Sequence, residues 1–348
     1  MSRVDLVSMS YDELCAFITE DLKAPKFRAK QIFEWINKGF DIDEMLNLPK
    51  VLRETLKERA YLSYPTVQKK YVSAIDGTVK FLYRMQDGEY VESVVMEYEH
   101  GYSICLSTQA GCRMGCKFCA STIGGRVRNL LPGEILSEIL IAQRILSIRI
   151  SNIVLMGIGE PLDNYDNVMK FLRLVNAKDG LNIGYRHISL STCGIVDRIY
   201  DLANEDMPLT LSISLHASDD ATRSEIMPIN HKYPLDRLLK ACCDYFDKTS
   251  RRISFEYTLI TGKNDSEEDA EKLAALLKRY LKNRPFHVNL ILVNEVAESG
   301  FVRGSKASVM KFCQTLNSRK VNATVRRTLG ADINASCGQL RHNADKKQ

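Results

Sequence analysis

The sequence has no uninterrupted apolar run long enough to cross a bilayer, which excludes a helical membrane span. Met1-Ser2-Arg3-Val4-Asp5 is polar and lacks the apolar core of a secretory signal, so the expected location is cytoplasmic. Strong charge of one sign is also missing. The formal net charge of +5 permits nucleic-acid binding without demonstrating it, because scattered charge usually marks a solvated surface. No short-period repeat or low-complexity tract occurs. A second paired cysteine knuckle or an HxxxH partner at zinc-finger spacing is absent as well.

The 348 residues are 45% hydrophobic, enough for a large core with room for a smaller accessory region. Ten cysteines without a signal segment suggest a reducing compartment with metal or redox chemistry rather than a disulfide framework. Three of them fall in Cys112-Arg113-Met114-Gly115-Cys116-Lys117-Phe118-Cys119. Thiolates are the protein ligands of iron–sulfur clusters, and this spacing lets one loop wrap a cluster. Three thiolates leave one iron of a [4Fe-4S] cluster open to an outside ligand. A structural zinc site is the bland alternative, and it wants a fourth Cys or His nearby.

Along the chain, residues 10–60 read as short helices. Residues 67–74, 79–85 and 90–96 read as strands, with Asp76-Gly77 and Asp87-Gly88 as hairpin turns. Residues 1–98 are therefore expected to form an accessory region, a helical module followed by a small antiparallel sheet. From residue 99 strand and helix patterns alternate. Strands are expected at 103–107, 152–156, 187–191, 210–215, 253–260, 286–292 and 322–327. Helices are expected at 133–146, 164–175, 196–204, 235–246, 266–281 and 305–317, with Ser266 and Asp269 as a cap. Such alternation implies an α/β fold with a parallel sheet, expected to span 99–340, and a polar tail at 341–348.

Function in parallel α/β folds sits at the carboxyl ends of the strands. The cysteine loop follows the first parallel strand. Met156-Gly157-Ile158-Gly159-Glu160-Pro161-Leu162 follows the second, where glycine admits close backbone approach and Glu160 offers a partner for an amine. Ser191-Thr192-Cys193-Gly194 and Ser214-Leu215-His216 end two more strands. His216 alone would be as readily structural as functional. Isolated Cys105 and Cys337 would, by themselves, be small core residues. Cys15, Cys193, Cys242, Cys243 and Cys313 match no ligand pattern.

The CxxxCxxC motif resembles that of radical S-adenosylmethionine (SAM) enzymes. Ser107-Thr108-Gln109-Ala110-Gly111-Cys112, the Gly-Glu-Pro-Leu loop, Ser214-Leu215-His216, Met227-Pro228-Ile229-Asn230 and Ala335-Ser336-Cys337-Gly338-Gln339-Leu340 follow in order. Together they resemble the RlmN/Cfr family of radical SAM RNA methyltransferases over nearly the whole chain. The resemblance implies a partial (β/α)6 barrel with an N-terminal accessory domain. It implies a [4Fe-4S] cluster on Cys112, Cys116 and Cys119, and two SAM molecules per turnover. SAM contacts would come from Gly159, Glu160, Ser191, Ser214, Leu215, His216 and Asn294, although Glu295 stands where many relatives have proline.

In this family one cysteine, here Cys337, takes a methyl group from SAM. A second SAM yields a 5′-deoxyadenosyl radical that abstracts hydrogen from the methylated cysteine, and the resulting methylene radical adds to adenine. The counterpart of Cys105 helps resolve the covalent adduct through a Cys–Cys disulfide, and Glu92 corresponds to the proton acceptor. Ala120-Ser121-Thr122 and Pro161 look more RlmN-like than Cfr-like, favouring C2 of adenine over C8. The implied substrate is 23S rRNA in the peptidyl-transferase region, with the adenosine 3′ of the anticodon in some tRNAs as a second candidate. The implied electron donor is a flavodoxin or ferredoxin, and a monomer is expected. Lys23, Lys26, Arg28, Lys30 and the Arg126/Arg128 and Arg326/Arg327 pairs are candidates for RNA phosphates. A metal-bearing RNA-binding module without turnover is the non-enzymatic alternative.

Overall fold

The computed structural model describes residues 3–294, 296, 298 and 300–341. Ten strands form one sheet: β1 (Thr66–Val72), β2 (Val79–Arg84), β3 (Tyr90–Tyr98), β4 (Gly101–Cys105), β5 (Ile150–Leu155), β6 (Ile188–Thr192), β7 (Thr210–Ser214), β8 (Ile253–Leu259), β9 (Phe286–Leu292) and β10 (Ala323–Val325). Their spatial order is their sequence order. Neighbours from β1 to β4 are antiparallel. Neighbours from β4 to β10 are parallel. β3 occupies the outer edge of β4, so β10 does not close onto it and the barrel stays partial.

Parallel neighbours need crossovers. α4 (Pro132–Leu146), α5 (Tyr165–Asn176), α6 (Val196–Leu202), α7 (Asp220–Ile226) with α8 (Leu235–Thr249), α9 (Glu267–Leu281) and α10 (Lys306–Ser318) supply them. Covered on both faces, β8 is buried at all seven positions. The free edge strand β1 instead alternates exposed and half-buried residues and carries Lys69 and Lys70, which blunt edge-to-edge pairing. The expected cap on α9 is present: Ser266 and Asp269 form a reciprocal capping box.

Before the sheet, α1 (Tyr11–Ala16), α2 (Phe27–Ile36) and α3 (Lys50–Arg59) form the helical module. Val4–Asp5 pairs with Ala60–Tyr61 and joins its ends. Arg144 on α4 binds Glu44 through two hydrogen bonds of 3.0 and 2.7 Å, and Gly133 N donates to Ser8 Oγ at 2.9 Å, so the module is tied to the first crossover helix.

Four details differ from the expectation. The antiparallel ribbon is not a separate sheet, because β3 hydrogen-bonds to β4 and the two sheets merge. α7 and a short pairing of Gln109–Gly111 with Arg126–Asn129 were not anticipated. The last strand is only Ala323–Val325, after which the chain leaves the sheet. Residues 342–348, most of the expected tail, and Glu295 lie outside the described residues. Among the described residues no helix is long and apolar enough to cross a membrane.

Candidate active site

The carboxyl ends of the parallel strands surround an open cleft of about 910 Å³, counting space open to solvent. Cys112, Cys116 and Cys119 line it from the loop after β4. Gly159 and Glu160 enter after β5, Ser191 from β6, Ser214 and His216 from the end of β7, and Asn294 after β9. Cys337, nearly at the other end of the chain, lines the same space.

The cysteine loop is held by its backbone. Cys112 N donates to Gly125 O at 3.0 Å, Lys117 N to Ile226 O at 3.0 Å, and Cys119 N to Cys116 O at 3.1 Å. Gly111 has φ +74°, and a Cβ there would stand 2.0 Å from Gly125 O, so the turn into the loop requires glycine. Burial pushes the three thiols up, Cys112 to about 12, so ionised sulfur here calls for a strong positive partner such as iron. Ligands of a single tetrahedral ion crowd within about 2.0–2.3 Å of one point. Among the described residues no three His, Cys, Asp or Glu side chains converge that way. A multi-iron cluster takes thiolates as its ligands, and three of them from one loop line this cleft.

The Gly-x-Gly-Glu loop folds onto the strand beside it. Gly159 has φ +109°, and a Cβ would lie 2.7 Å from Gln109 Cβ, so the loop passes closely only as glycine. Glu160 N donates to Gln109 Oε1 at 2.9 Å. The buried Glu160 carboxylate accepts from Cys193 N at 2.7 Å and Leu162 N at 3.0 Å, which leaves lone pairs for a cationic ligand. His216 has φ +57°, and its Nδ1 accepts from Thr258 N at 2.9 Å, so Nε2 carries the proton. Burial, with the charge of Arg223, holds its pKa down at about 3, and the ring is a neutral donor.

Cys337 O accepts from Asn294 Nδ2 at 2.9 Å, and Gly338 O accepts from Ala120 N at 2.7 Å. These bonds bring the end of the chain to the cysteine loop. Cys337 also lines a second, adjoining cleft of about 590 Å³ together with Cys105. Burial pushes the Cys105 thiol up to about 12. All ten cysteines are free, so the expected Cys–Cys disulfide is not formed in this structure. Two candidates stand away from the clefts. Leu215 is fully buried in the core. Glu92 lines neither cleft, and its buried carboxylate is paired with Lys80 at 2.9 Å.

Several positioning residues escaped the sequence reading. Buried Arg223 donates to Cys193 O at 2.8 Å and Ser214 O at 3.1 Å, tying the ends of β6 and β7, and Asn230 Oδ1 holds it at 2.8 Å. The buried Asn264 donates to His216 O at 2.7 Å and Thr258 O at 2.8 Å. Of the expected RNA contacts, Arg128 is engaged bidentately by Glu134 at 2.7 and 2.8 Å. Arg326 stands inside the clefts, 3.6 Å from Glu256 Oε2. Lys23, Lys26 and Lys30 remain exposed.

Asp163 fixes the cysteine loop. It accepts from Arg113 Nε at 3.0 Å, Arg126 Nη1 at 2.8 Å and Gln109 Nε2 at 2.9 Å. Burial would raise its pKa, but Arg113, Gln109 and Arg126 offset that and hold the carboxyl below its usual value. A depressed pKa stabilises the fold above the ordinary carboxylate range, and the gain disappears as pH falls through the folded value. Asp163→Asn is therefore expected to cost about 1–3 kcal/mol near neutral pH. Chemical denaturation should show that cost shrinking below pH ~4, and a pH-independent difference would contradict the assignment.

Comparison with known proteins adds five findings. The radical SAM superfamily model matches residues 106–276, and a ribosomal RNA large subunit methyltransferase N-terminal domain model matches residues 4–62. A probable dual-specificity RNA methyltransferase RlmN from Clostridium novyi is 53% identical, covering 97% of this chain and 98% of that protein. One from Clostridium acetobutylicum is 57% identical, covering 91% of each. The crystal structure of a radical SAM methyltransferase from Sphaerobacter thermophilus superposes with a TM-score of 0.92 at 40% identity, covering 97% and 99% of the two chains.

Proposed function

The chain belongs to the RlmN family of radical SAM RNA methyltransferases, and from that premise we propose that it methylates C2 of adenine in 23S rRNA and in tRNA through an S-methylated Cys337. The observation that carries this reading is the meeting of three cluster-type thiols and Cys337 around one cleft, with Cys105 in the adjoining one. Two RNA classes are supported by the relatives' description as dual-specificity enzymes. C2 is supported by Ala120-Ser121-Thr122 and Pro161, where Cfr-like sequences differ.

Adenine C2 is an electron-poor amidine carbon and does not attack a sulfonium methyl, so polar transfer alone fails. Cys112, Cys116 and Cys119 would hold a [4Fe-4S] cluster, which together with SAM would supply the methyl group and the one-electron chemistry. The residues of this chain do the rest. Glu160, Ser191, Ser214, neutral His216 and Asn294 orient the nucleoside-sulfonium. Cys337 carries the methyl group to the base, and Cys105 resolves the sulfur–RNA adduct. Glu92, the counterpart of the family's proton acceptor, lines neither cleft and is paired with Lys80, so no proton is routed to it. The target base must leave its stack to reach Cys337, as other base-modifying enzymes require. A flavodoxin or ferredoxin is the donor class this chemistry calls for.

Mass spectrometry of rRNA and tRNA from cells with and without the protein tests this reading. The expected result is 2-methyladenosine in both RNAs, lost when the protein is removed. Finding only 8-methyladenosine would replace the C2 assignment with C8.

A further inference from the structure

After β10 the chain leaves the sheet and carries Cys337 on a segment, 326–341, that contains no further strand and only a short 3-10 turn, Ala331–Ile333. Leu329, Ile333, Ala335 and Leu340 pack into a small cluster with Val94, Met96 and Ile158. Polar contacts add to this. Asp332 accepts from Ser73 Oγ at 2.6 Å and Ala74 N at 2.8 Å, and Ser121 Oγ donates to Leu340 O at 2.9 Å.

Two further fastenings come from one ion pair. Lys80 on β2 stands opposite Val94, and Leu82 opposite Glu92, so Lys80 and Glu92 are diagonal neighbours on the same face of the ribbon. Both are buried, at 7% and 2% exposure, and Lys80 Nζ lies 2.9 Å from Glu92 Oε1. Lys80 Nζ also donates to Asn334 O at 3.2 Å, and Glu92 Oε2 accepts from Arg341 N at 2.7 Å. The ammonium thus grips the segment three residues before Cys337, and the carboxylate grips it four residues after. The Tyr71 ring, 5.0 Å from Lys80 Nζ, covers the ammonium.

We propose that the Lys80–Glu92 ion pair is the clamp that seats the Cys337-bearing segment against the clefts, which makes Lys80 a positioning residue for methyl transfer. The proposal rests on the reading of Cys337 as methyl carrier. Its physical logic is that a buried charge left without its partner is costly, so the pair and the seated segment are maintained together. Neither side chain reaches the clefts, so the pair acts on the reaction through the position of Cys337.

The test is alkylation of the full-length holoenzyme by iodoacetamide, followed residue by residue with mass spectrometry. Lys80→Met is expected to raise the rate at Cys337 roughly tenfold, with labelling of Cys313 on the distant α10 unchanged. Lys80→Arg should restore slow labelling. Lys80→Met/Glu92→Gln avoids a lone buried carboxylate and should still label fast, since the bond to Asn334 O is gone. In Lys80→Met, kcat should fall while KM for RNA holds. Unchanged Cys337 labelling in Lys80→Met, or equal exposure of Cys313, overturns the clamp. Fast labelling with undiminished methylation would overturn Lys80 as a positioning residue, whereas a Cys337→Ala variant that still methylates RNA would refute Cys337 as the carrier.

Discussion

Cys337→Ala is expected to lower RNA methylation by about a thousandfold or more, because under the proposed relay the variant has no sulfur to carry the methyl group. Iron and sulfide should stay at the level of the unaltered protein, since the proposed cluster ligands lie on the loop after β4. The structure explains why these effects separate. Cys337 reaches the cleft on its own segment, anchored by Asn294 and, just past the cysteine loop, by the backbone of Ala120, so removing its sulfur leaves the three loop thiols in place. The measurement is methyl incorporation into transcribed 23S rRNA fragments, paired with iron analysis of the same sample. Loss of iron along with activity would make Cys337 a cluster ligand and remove the relay.

Cys116→Ala is expected to have the complementary effect. About four irons per chain should drop to near none, and all SAM-dependent activity should go with them. The change removes one of three thiols from a loop whose backbone is independently fixed, by Cys112 N to Gly125 O and Lys117 N to Ile226 O. The fold should therefore survive, with far-ultraviolet circular dichroism unchanged. Full iron content in this variant would mean the cluster sits elsewhere.

The parts of this site legible in the sequence share a property: their chemistry is local in the chain. Cys112, Cys116 and Cys119 declare themselves by spacing. Gly159-Glu160 and His216 declare themselves by following strand-like runs, and the structure brings them to one rim. Residues that act through distant partners gave no such signal. Arg223 fell in a stretch given no element in the sequence reading, yet it binds the carbonyl just after β6 and the one at the end of β7. Lys80 lay in a plausible edge ribbon, and its contact with Asn334 spans 254 positions. Arg128 read as a free cation because its partners, Asp87 and Glu134, reach it from two different segments. The merging of the ribbon with the barrel was also hidden, since period-two alternation specifies a strand and not its neighbour.

The decisive experiment follows 5′-deoxyadenosine. Protein purified and reconstituted without oxygen, given SAM and a low-potential reductant, should release it, while the same protein with Cys112, Cys116 and Cys119 replaced by alanine should not. Iron-loaded protein that yields none, or a colourless protein that holds zinc and no iron, would contradict the assignment of radical chemistry to this cleft.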